Sequence, residues 1–120
     1  MFVTEFIPKF KISLLAQLRI GILPLNIEVG RYYGIDLENR VCTLCHQNEV
    51  EDEIHFMMLC PIYSNIRSYY FDKFKLLIEG FNQLDLYGKY IALLNCKKVK
   101  IAANYVETLW NIRKSKLFTV

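Results

Sequence analysis

Three cysteines and one histidine are spaced as Cys-x2-Cys-x9-His-x4-Cys within residues 42–60 of the chain. Two cysteines separated by two residues can converge on one ion from a tight turn, and thiolate sulfur with imidazole nitrogen is a ligand set that suits tetrahedral zinc. A shared ion constrains the fold strongly, because it forces residues from the whole segment to meet at one point. We therefore predict a Zn²⁺ site formed by Cys42, Cys45, His55 and Cys60.

The residues between these ligands fit the same site. Acidic residues 51–53 lie where the first turn of a helix favours negative charge, which predicts that His55 sits early in a short helix. Pro61 disfavours helical backbone at the residue before it, so this helix should end at Leu59 or Cys60 and turn the Cys60 thiol back. Four protein ligands would leave no open coordination position, as is typical of a structural rather than a catalytic zinc.

Other interpretations of the cysteines remain open at the level of sequence. The run CTLCH also matches the attachment motif of a c-type haem, although that interpretation leaves His55 and Cys60 without a role. The cysteines could instead form disulfides or lie buried as inert thiols, but intracellular thiols are kept reduced. Within a zinc site, His46 could replace His55, or Cys96 could replace one of the other ligands.

Apolar residues at helical spacing dominate the rest of the chain. Residues 9–20, 62–80, 84–94 and 97–116 place apolar side chains three and four positions apart, which predicts four helices. Residues 25–40 are rich in turn formers and keep no period, which predicts an irregular lead-in to the cysteines. No period-two pattern of useful length indicates a strand. We predict a mostly α fold, a small helical domain organised around a CCHC zinc knuckle-like lobe.

The length of 120 residues fits a single domain, residues 1–120. We divide it into a helical and irregular lead-in at 1–40, a zinc lobe at 41–61 and a helical, basic tail at 62–120. Charged residues interrupt the apolar N-terminal segment, and no signal-peptide pattern is visible. We therefore predict a soluble intracellular protein, nuclear or cytoplasmic, with no membrane partner. A hydrophobic content of 53% is high for a small domain, which leaves apolar surface for a protein partner.

Charge is distributed unevenly along the chain. Residues 1–60 carry a net charge of −3 and residues 61–120 a net charge of +6, which indicates a polyanionic partner. The alternative is that the basic residues only solvate an outer helix face. Aromatic and basic residues also alternate in 67–75, where core packing is favoured over base stacking, and RYYG at 31–34 is interpreted as a turn packed on the zinc lobe. The candidate phosphate contacts are Lys97, Lys98, Lys100, Arg113, Lys114 and Lys116.

The stretch from about residue 20 to residue 75 resembles the zinc-binding region that lies C-terminal to the polymerase domain in non-LTR retrotransposon reverse transcriptases. Members of that family show an arginine shortly before Cys-x-x-Cys, an acidic spacer, a His-Phe pair and a closing Cys-Pro-x-Tyr or Cys-Pro-x-Phe. The resemblance implies RNA or DNA as the partner. The matching residues here are Arg40, Cys42, Cys45, Asp52, His55, Phe56, Cys60, Pro61 and Tyr63.

Motifs of enzymatic chemistry are missing from the sequence. It contains no Asp-Asp pair for a polymerase metal site, no P-loop and no Gly-x-Ser-x-Gly element. We therefore predict no catalytic activity and no small-molecule substrate. The leading hypothesis is a zinc-stabilised module that binds RNA or single-stranded DNA. The alternative is a zinc-stabilised protein–protein interaction module that docks through apolar surface.

Overall fold

The computed structural model of the protein describes residues 9–117, with side chains from residue 14 onward. Within this part of the chain the structure is helical, with no β-strand and one isolated antiparallel bridge between Val41 and Val50. The predicted mostly α fold class is confirmed. The α-helices are α1 Lys9–Arg19, α2 Asn26–Tyr32, α3 Ser64–Leu77, α4 Leu86–Leu94 and α5 Val99–Leu117.

Helices α1, α4 and α5 lie where the apolar spacing predicts them. Helix α3 begins after a 3₁₀ turn at Pro61–Tyr63 and ends at Leu77, before the predicted end at Gly80. Ile78 already has extended backbone, with φ −119° and ψ 110°. Gly80 adopts the left-handed conformation, with φ 74°, which a residue without a side chain reaches at little cost. The helix therefore ends before the glycine, which lies in the turn that follows.

Helix α2 corrects the prediction of irregular structure over residues 25–40. It has only seven residues, too few for a hydrophobic period to stand out in the sequence. Its first backbone N–H groups are satisfied from outside the helix by Glu51. Asn26 N donates to Glu51 Oε1 at 2.8 Å, and Ile27 N donates to the Glu51 carbonyl at 3.1 Å. Because this cap comes from a residue distant in the chain, the local sequence does not reveal it.

Helix α5 occupies the core and packs mainly against α1 and α3. On α1, Leu15 and Leu18 are buried. Between Ile101 and Trp110 of α5 every residue is buried or half-buried, so the fully exposed residues of this helix lie toward its two ends. None of the helices within residues 9–117 combines the length and apolar character needed to span a membrane. The buried apolar residues of α5 are Ala102, Ala103, Tyr105, Val106 and Leu109.

An aromatic cluster joins α3 to α5. The ring centroids of Tyr70 and Phe74 lie 5.2 and 5.9 Å from that of Tyr105, at separations typical of tilted and edge-to-face packing. Core packing, favoured from the sequence for the aromatic residues in 67–75, is therefore seen at Tyr70 and Phe74. Tyr69 differs, because 58% of its surface is exposed and Lys73 Nζ lies 4.9 Å from its ring centroid.

Candidate metal centre

The four predicted ligands lie together. One ligand atom from each of Cys42, Cys45, His55 and Cys60 lies within 4.8 Å of the other three. Cys42 Sγ is 4.0 Å from Cys60 Sγ, and Cys45 Sγ is 3.4 Å from His55 Nε2. Cys42, His55 and Cys60 are buried, whereas Cys45 is half-buried. This set of atoms could hold a metal ion at a site largely closed to solvent.

Cys42 and Cys45 are carried by a tight loop at residues 41–50, here called the ligand loop. Its base is closed by the bridge between Val41 and Val50, and Cys42 N donates to the Glu49 carbonyl at 2.8 Å. His46 and Asn48 have left-handed backbone, with φ 60° and 59°. Histidine and asparagine are among the residues that tolerate this conformation best, so the sequence suits the turn.

His55 and Cys60 lie at the two ends of one helical turn. The Asp52 carboxylate accepts a hydrogen bond from His55 N at 2.8 Å and so caps the start of this short helix. Cys60 has extended backbone, with φ −62° and ψ 123°, as predicted from Pro61. The helix widens into a π turn at His55–Leu59, which the sequence did not predict. Because Cys60 N donates to the His55 carbonyl at 2.8 Å, residues five apart are drawn together.

Arg67 of α3 supports the end of this π turn. Its guanidinium donates to the Met57 carbonyl at 3.3 Å and to the Cys60 carbonyl at 2.7 Å. The Tyr105 hydroxyl also donates to the Met57 carbonyl. These bonds satisfy two carbonyl groups at the end of the turn and fix the backbone that carries Cys60. Arg67 is partly buried, and its guanidinium binds the backbone at the end of the π turn.

A buried ion pair lies at the base of the ligand loop. Arg113 Nε donates to Glu51 Oε2, and the Arg113 NH2 group donates to Glu51 Oε1, both at 2.8 Å. Glu51 is 2% exposed and Arg113 is 6% exposed. The same guanidinium donates to Asn26 Oδ1 at 3.3 Å, and Asn26 Nδ2 donates to the Val41 carbonyl at 2.7 Å. The pair connects the ligand loop, the start of α2 and the C-terminal half of α5.

Burial shifts the pKa values of Cys42, His55 and Cys60. It raises the pKa of the Cys42 thiol, and raises the pKa of the Cys60 thiol to about 12, since a buried thiolate is poorly solvated. Burial lowers the pKa of His55, which favours the neutral imidazole that a metal requires. At neutral pH a metal ion would therefore displace protons from the Cys42 and Cys60 thiols and meet an unprotonated His55.

Tyr63 provides a separate test of whether a metal ion fits. Its side chain is 1% exposed, and its hydroxyl has no hydrogen-bond partner among the described residues. Burial raises the pKa of this phenol, as do the nearby charges of Cys60 and Glu51. A metal-bound thiolate accepts hydrogen bonds far better than a thiol does, so a small movement that brought this hydroxyl to a ligand sulfur would satisfy the buried donor. The donor set and the unpartnered phenol both fit a metal ion.

The alternative ligands lie elsewhere. His46 is exposed and does not belong to the four-residue cluster. Cys96 is buried between α4 and α5, beside a cavity that Leu77 and Ile78 also line. All four cysteines are free thiols, which contradicts the disulfide interpretation. The ligand set predicted from spacing is therefore the set that the fold brings together.

The predicted phosphate contacts divide into two groups. Lys97, Lys98 and Lys100 are exposed at the start of α5, and Lys114 and Lys116 are exposed at its end. Lys100 and Lys114 are close to four helical turns apart, which places them on one helix face with about 21 Å of rise between them. This arrangement offers two separate points of positive charge.

Arg113 does not belong to either group, and its assignment as a phosphate contact is corrected. Its guanidinium is directed into the fold, where Glu51 neutralises it. Burial opposes the charge of Arg113, but the hydrogen bond and charge of Glu51 outweigh this effect and raise its pKa. A phosphate could reach this group only by displacing Glu51.

The tyrosines of RYYG are also placed differently from the prediction. Tyr32 is 86% exposed and Tyr33 is 77% exposed, so they do not pack on the zinc lobe. Helix α2 continues through Tyr32 and turns Gly30 inward against Arg40, which leaves the tyrosines outside. They line a shallow groove together with Ile22 and Pro24.

Comparisons with known proteins found no matching family model, curated protein or solved structure. The roles of the residues around the centre are therefore argued from this chain alone. Glu51 was predicted only as part of the acidic first turn of a helix, and Arg67 and Arg113 were not predicted to support the site, because each looks like an ordinary basic residue in the sequence. Arg113 bonds Glu51, 62 residues away, and Asn26, 87 residues away, where no local pattern points to them.

Proposed function

We propose that this protein is a zinc-stabilised module that binds RNA or single-stranded DNA and has no catalytic activity of its own. The proposal is carried by the convergence of three thiols and one imidazole on one buried point. Such a set holds zinc as part of the fold, because every coordination position is filled by the protein. The module would resemble the zinc-binding region of non-LTR retrotransposon reverse transcriptases, the likeness drawn from its sequence.

The distances support zinc as the metal. Around a tetrahedral zinc ion, Zn–S bonds of about 2.3 Å and Zn–N bonds of about 2.0 Å place neighbouring ligand atoms about 3.5–3.8 Å apart. The separation of 4.0 Å between the sulfurs of Cys42 and Cys60 and that of 3.4 Å between Cys45 Sγ and His55 Nε2 lie close to this range, and all four ligand atoms lie within 4.8 Å of one another. Soft thiolate ligands also disfavour magnesium and calcium. Small adjustments of the side chains would complete the coordination.

Nucleic acid is the favoured partner because of the two exposed basic groups on α5. Lys97, Lys98 and Lys100 form one, and Lys114 with Lys116 forms the other. Lysine groups about 21 Å apart on a rigid helix can contact phosphates several nucleotides apart on one strand, with affinity that depends on salt and little on sequence. The zinc lobe would hold α5 in place, since Arg113 near its end is bound to Glu51 at the base of the ligand loop.

Two measurements on the purified protein test this proposal. Metal analysis should give one zinc ion per chain, and fluorescence anisotropy should detect binding of a labelled single-stranded RNA at low salt. Affinity should fall steeply when the salt concentration is raised from about 50 to 200 mM. Protein without zinc would contradict the metal centre, and undetectable binding to RNA and single-stranded DNA at low salt would contradict the nucleic-acid role.

A protein-interaction module is the second candidate, because apolar side chains cluster on the surface near α2. Ile22, Tyr32 and Tyr33 line one groove and are between 48% and 86% exposed. Exposed apolar side chains that lie together mark contact surfaces more often than isolated ones do. Sedimentation velocity over micromolar concentrations checks self-association, and a Tyr32→Ser/Tyr33→Ser variant should abolish it. A monomer at all concentrations would count against self-association through this surface.

A further inference from the structure

We propose that Arg113 is a positioning residue for the metal centre, so that zinc binding and docking of the C-terminal end of α5 form one linked equilibrium. The inference rests on the proposed function, since it presupposes that the four ligands bind zinc. It adds a residue of a distant helix to the metal-binding unit. It also predicts that metal occupancy controls how the exposed lysines at the end of α5 are held.

The geometry of the Arg113–Glu51 pair carries the proposal. Both oxygens of the Glu51 carboxylate accept from Arg113 at 2.8 Å, which is the parallel two-bond arrangement that fixes orientation as well as distance. The two residues are 62 positions apart in the chain, and both are nearly inaccessible to solvent. A buried pair of this kind cannot lose one partner without leaving the other charge unsatisfied.

The pair is connected directly to the backbone that carries the first two ligands. Glu51 follows Val50, which bridges Val41, and Glu51 N donates to the Arg40 carbonyl at 2.9 Å. Asn26 accepts from Arg113 and donates to the Val41 carbonyl, the residue next to Cys42. Arg113 therefore holds both sides of the base of the ligand loop. Loss of these bonds would release the loop that brings Cys42 and Cys45 toward the ion.

Charge supplies a second reason. Three thiolates and a neutral imidazole around Zn²⁺ carry a net charge of −1, and the Glu51 carboxylate adds another negative charge close by. Arg113 is the buried counter-ion of Glu51, and Arg67 donates to the Cys60 carbonyl at 2.7 Å. Without Arg113 the buried carboxylate would face an anionic centre with no counter-ion on its side. Zinc binding and the presence of this guanidinium should therefore favour each other.

The protein contains a single tryptophan that reports on this junction. The Trp110 ring lies one helical turn before Arg113 on α5, and the Arg113 guanidinium lies 5.2 Å from its centroid. On its other side the Trp110 ring is 6.2 Å from Phe56, the residue after the ligand His55. Movement of α5 away from the π turn at His55–Leu59 would expose the Trp110 indole further to water. Trp110 emission therefore follows docking of α5 independently of any measurement of metal binding.

The first test compares zinc affinity, by competition with a chromophoric chelator, in full-length variants. Arg113→Met should weaken zinc binding at least tenfold. Arg113→Lys should lie between Arg113→Met and the wild type, because it keeps the charge but loses the two-bond geometry. Lys114→Met, at the exposed neighbouring position, is the matched control and should stay within twofold of the wild type. Equal affinities of Arg113→Met and Lys114→Met would overturn the proposal.

The second test uses the wild type, so that it survives if Arg113→Met does not fold. Zinc added to chelator-treated protein should shift Trp110 emission toward shorter wavelength, with the same midpoint as zinc uptake. In Arg113→Lys the shift should need more zinc. Unchanged emission across a titration that does load zinc would overturn the linkage while leaving the proposed function intact. A wild type that takes up no zinc at all would overturn the proposed function itself and this inference with it.

Discussion

The Sγ atoms of Cys42 and Cys60 lie 4.0 Å apart, although 18 residues separate them in the chain. Both thiols are buried, and burial raises the pKa of each. Two thiols so close in the interior gain little from each other as neutral groups. As thiolates on one ion they would join the ligand loop to the turn before α3. A metal ion bound here would therefore connect these two segments directly.

Replacing Cys60 by serine should release zinc and unfold the region around the ligand loop. Structural zinc supplies folding free energy on the order of 10 kcal/mol in small domains, and serine is a poor zinc ligand. Metal analysis and the far-ultraviolet circular dichroism melt check this prediction. Cys96→Ser is the matched control, because Cys96 is equally buried but lies outside the cluster, so zinc content should stay at one per chain. A Cys60→Ser protein with native zinc content would contradict the assignment.

Zinc affinity should rise with pH between about 6.5 and 8. The folded-state pKa values of Cys42 and Cys60 are raised, so both thiols are protonated in this window and each must lose a proton to bind. The pKa of His55 is lowered, so it is already neutral and adds no further dependence until the pH falls below this window. The logarithm of the association constant should gain at least two units per pH unit. A slope below one, measured by chelator competition, would exclude two protonated thiols.

Tyr63→Phe should weaken zinc binding about tenfold without disturbing the fold. The buried hydroxyl has no partner among the described residues, and a metal-bound thiolate would provide an acceptor. A hydrogen bond to a charged group contributes about 1.5 kcal/mol or more, which is roughly tenfold in affinity. Tyr90→Phe is the control, because the Tyr90 phenol is also buried but lies on α4, outside the candidate metal centre. Unchanged or tighter zinc binding in Tyr63→Phe would show that the hydroxyl stays unpaired.

Gly30→Ala should destabilise the protein although alanine is the better helix former. A Cβ atom at Gly30 would lie 2.5 Å from Arg40 Cγ, and the Arg40 guanidinium donates to the Ile35 and Ile27 carbonyls. Moving Arg40 should cost about 1–2 kcal/mol, more than the helix propensity returns. Urea denaturation of the zinc-loaded protein measures the effect. In an Arg40→Ala background the cost of Gly30→Ala should fall by about 1 kcal/mol or more, because only the Cβ atom of residue 40, 3.3 Å away, remains in contact. An equal cost in both backgrounds would rule out the clash.

Neutralising the lysines at the start of α5 should weaken RNA binding and flatten its salt dependence. A Lys97→Gln/Lys98→Gln/Lys100→Gln variant removes up to three phosphate contacts, and each lost contact lowers the slope against salt by about one. Lys75→Gln is the control, since that lysine is exposed on α3 but pairs with Asp72 at 3.5 Å. Anisotropy over a salt series gives both slopes. If the triple variant keeps the wild-type slope, these lysines do not contact the phosphates.

Long apolar periods and local spacing were the predictable parts of this protein. Helix α5 shows a sustained 3.6-residue period, and its burial follows from that pattern. The ligand set was predictable because all four residues fall in one short segment with a proline where the chain must turn. In each case the information lies within about 20 residues of sequence, so a local pattern is sufficient.

The predictions that failed concern features that depend on contacts between distant segments of the chain. Arg113 looks like one more member of a basic cluster, and only the fold shows that Glu51 occupies its guanidinium. Helix α2 begins with a backbone N–H group that donates to the same Glu51, so the sequence of α2 alone does not predict the helix. The π turn at His55–Leu59 cannot be predicted from the sequence, because it lies in a mostly apolar run that is buried almost throughout. Tertiary electrostatics and capping decided these features, and neither has a local signature.

Cys45 is the only one of the four ligands that is not fully buried. An ion, or a chelator competing for it, would reach the site most easily on the side of Cys45, at the tip of the ligand loop. The lifetime of the bound metal would then depend on how often the tip of the ligand loop opens. A protein in a solution with very little free zinc could therefore keep its ion for a long time. Exchange with isotopically labelled zinc would measure the rate of this opening directly, separately from the zinc affinity.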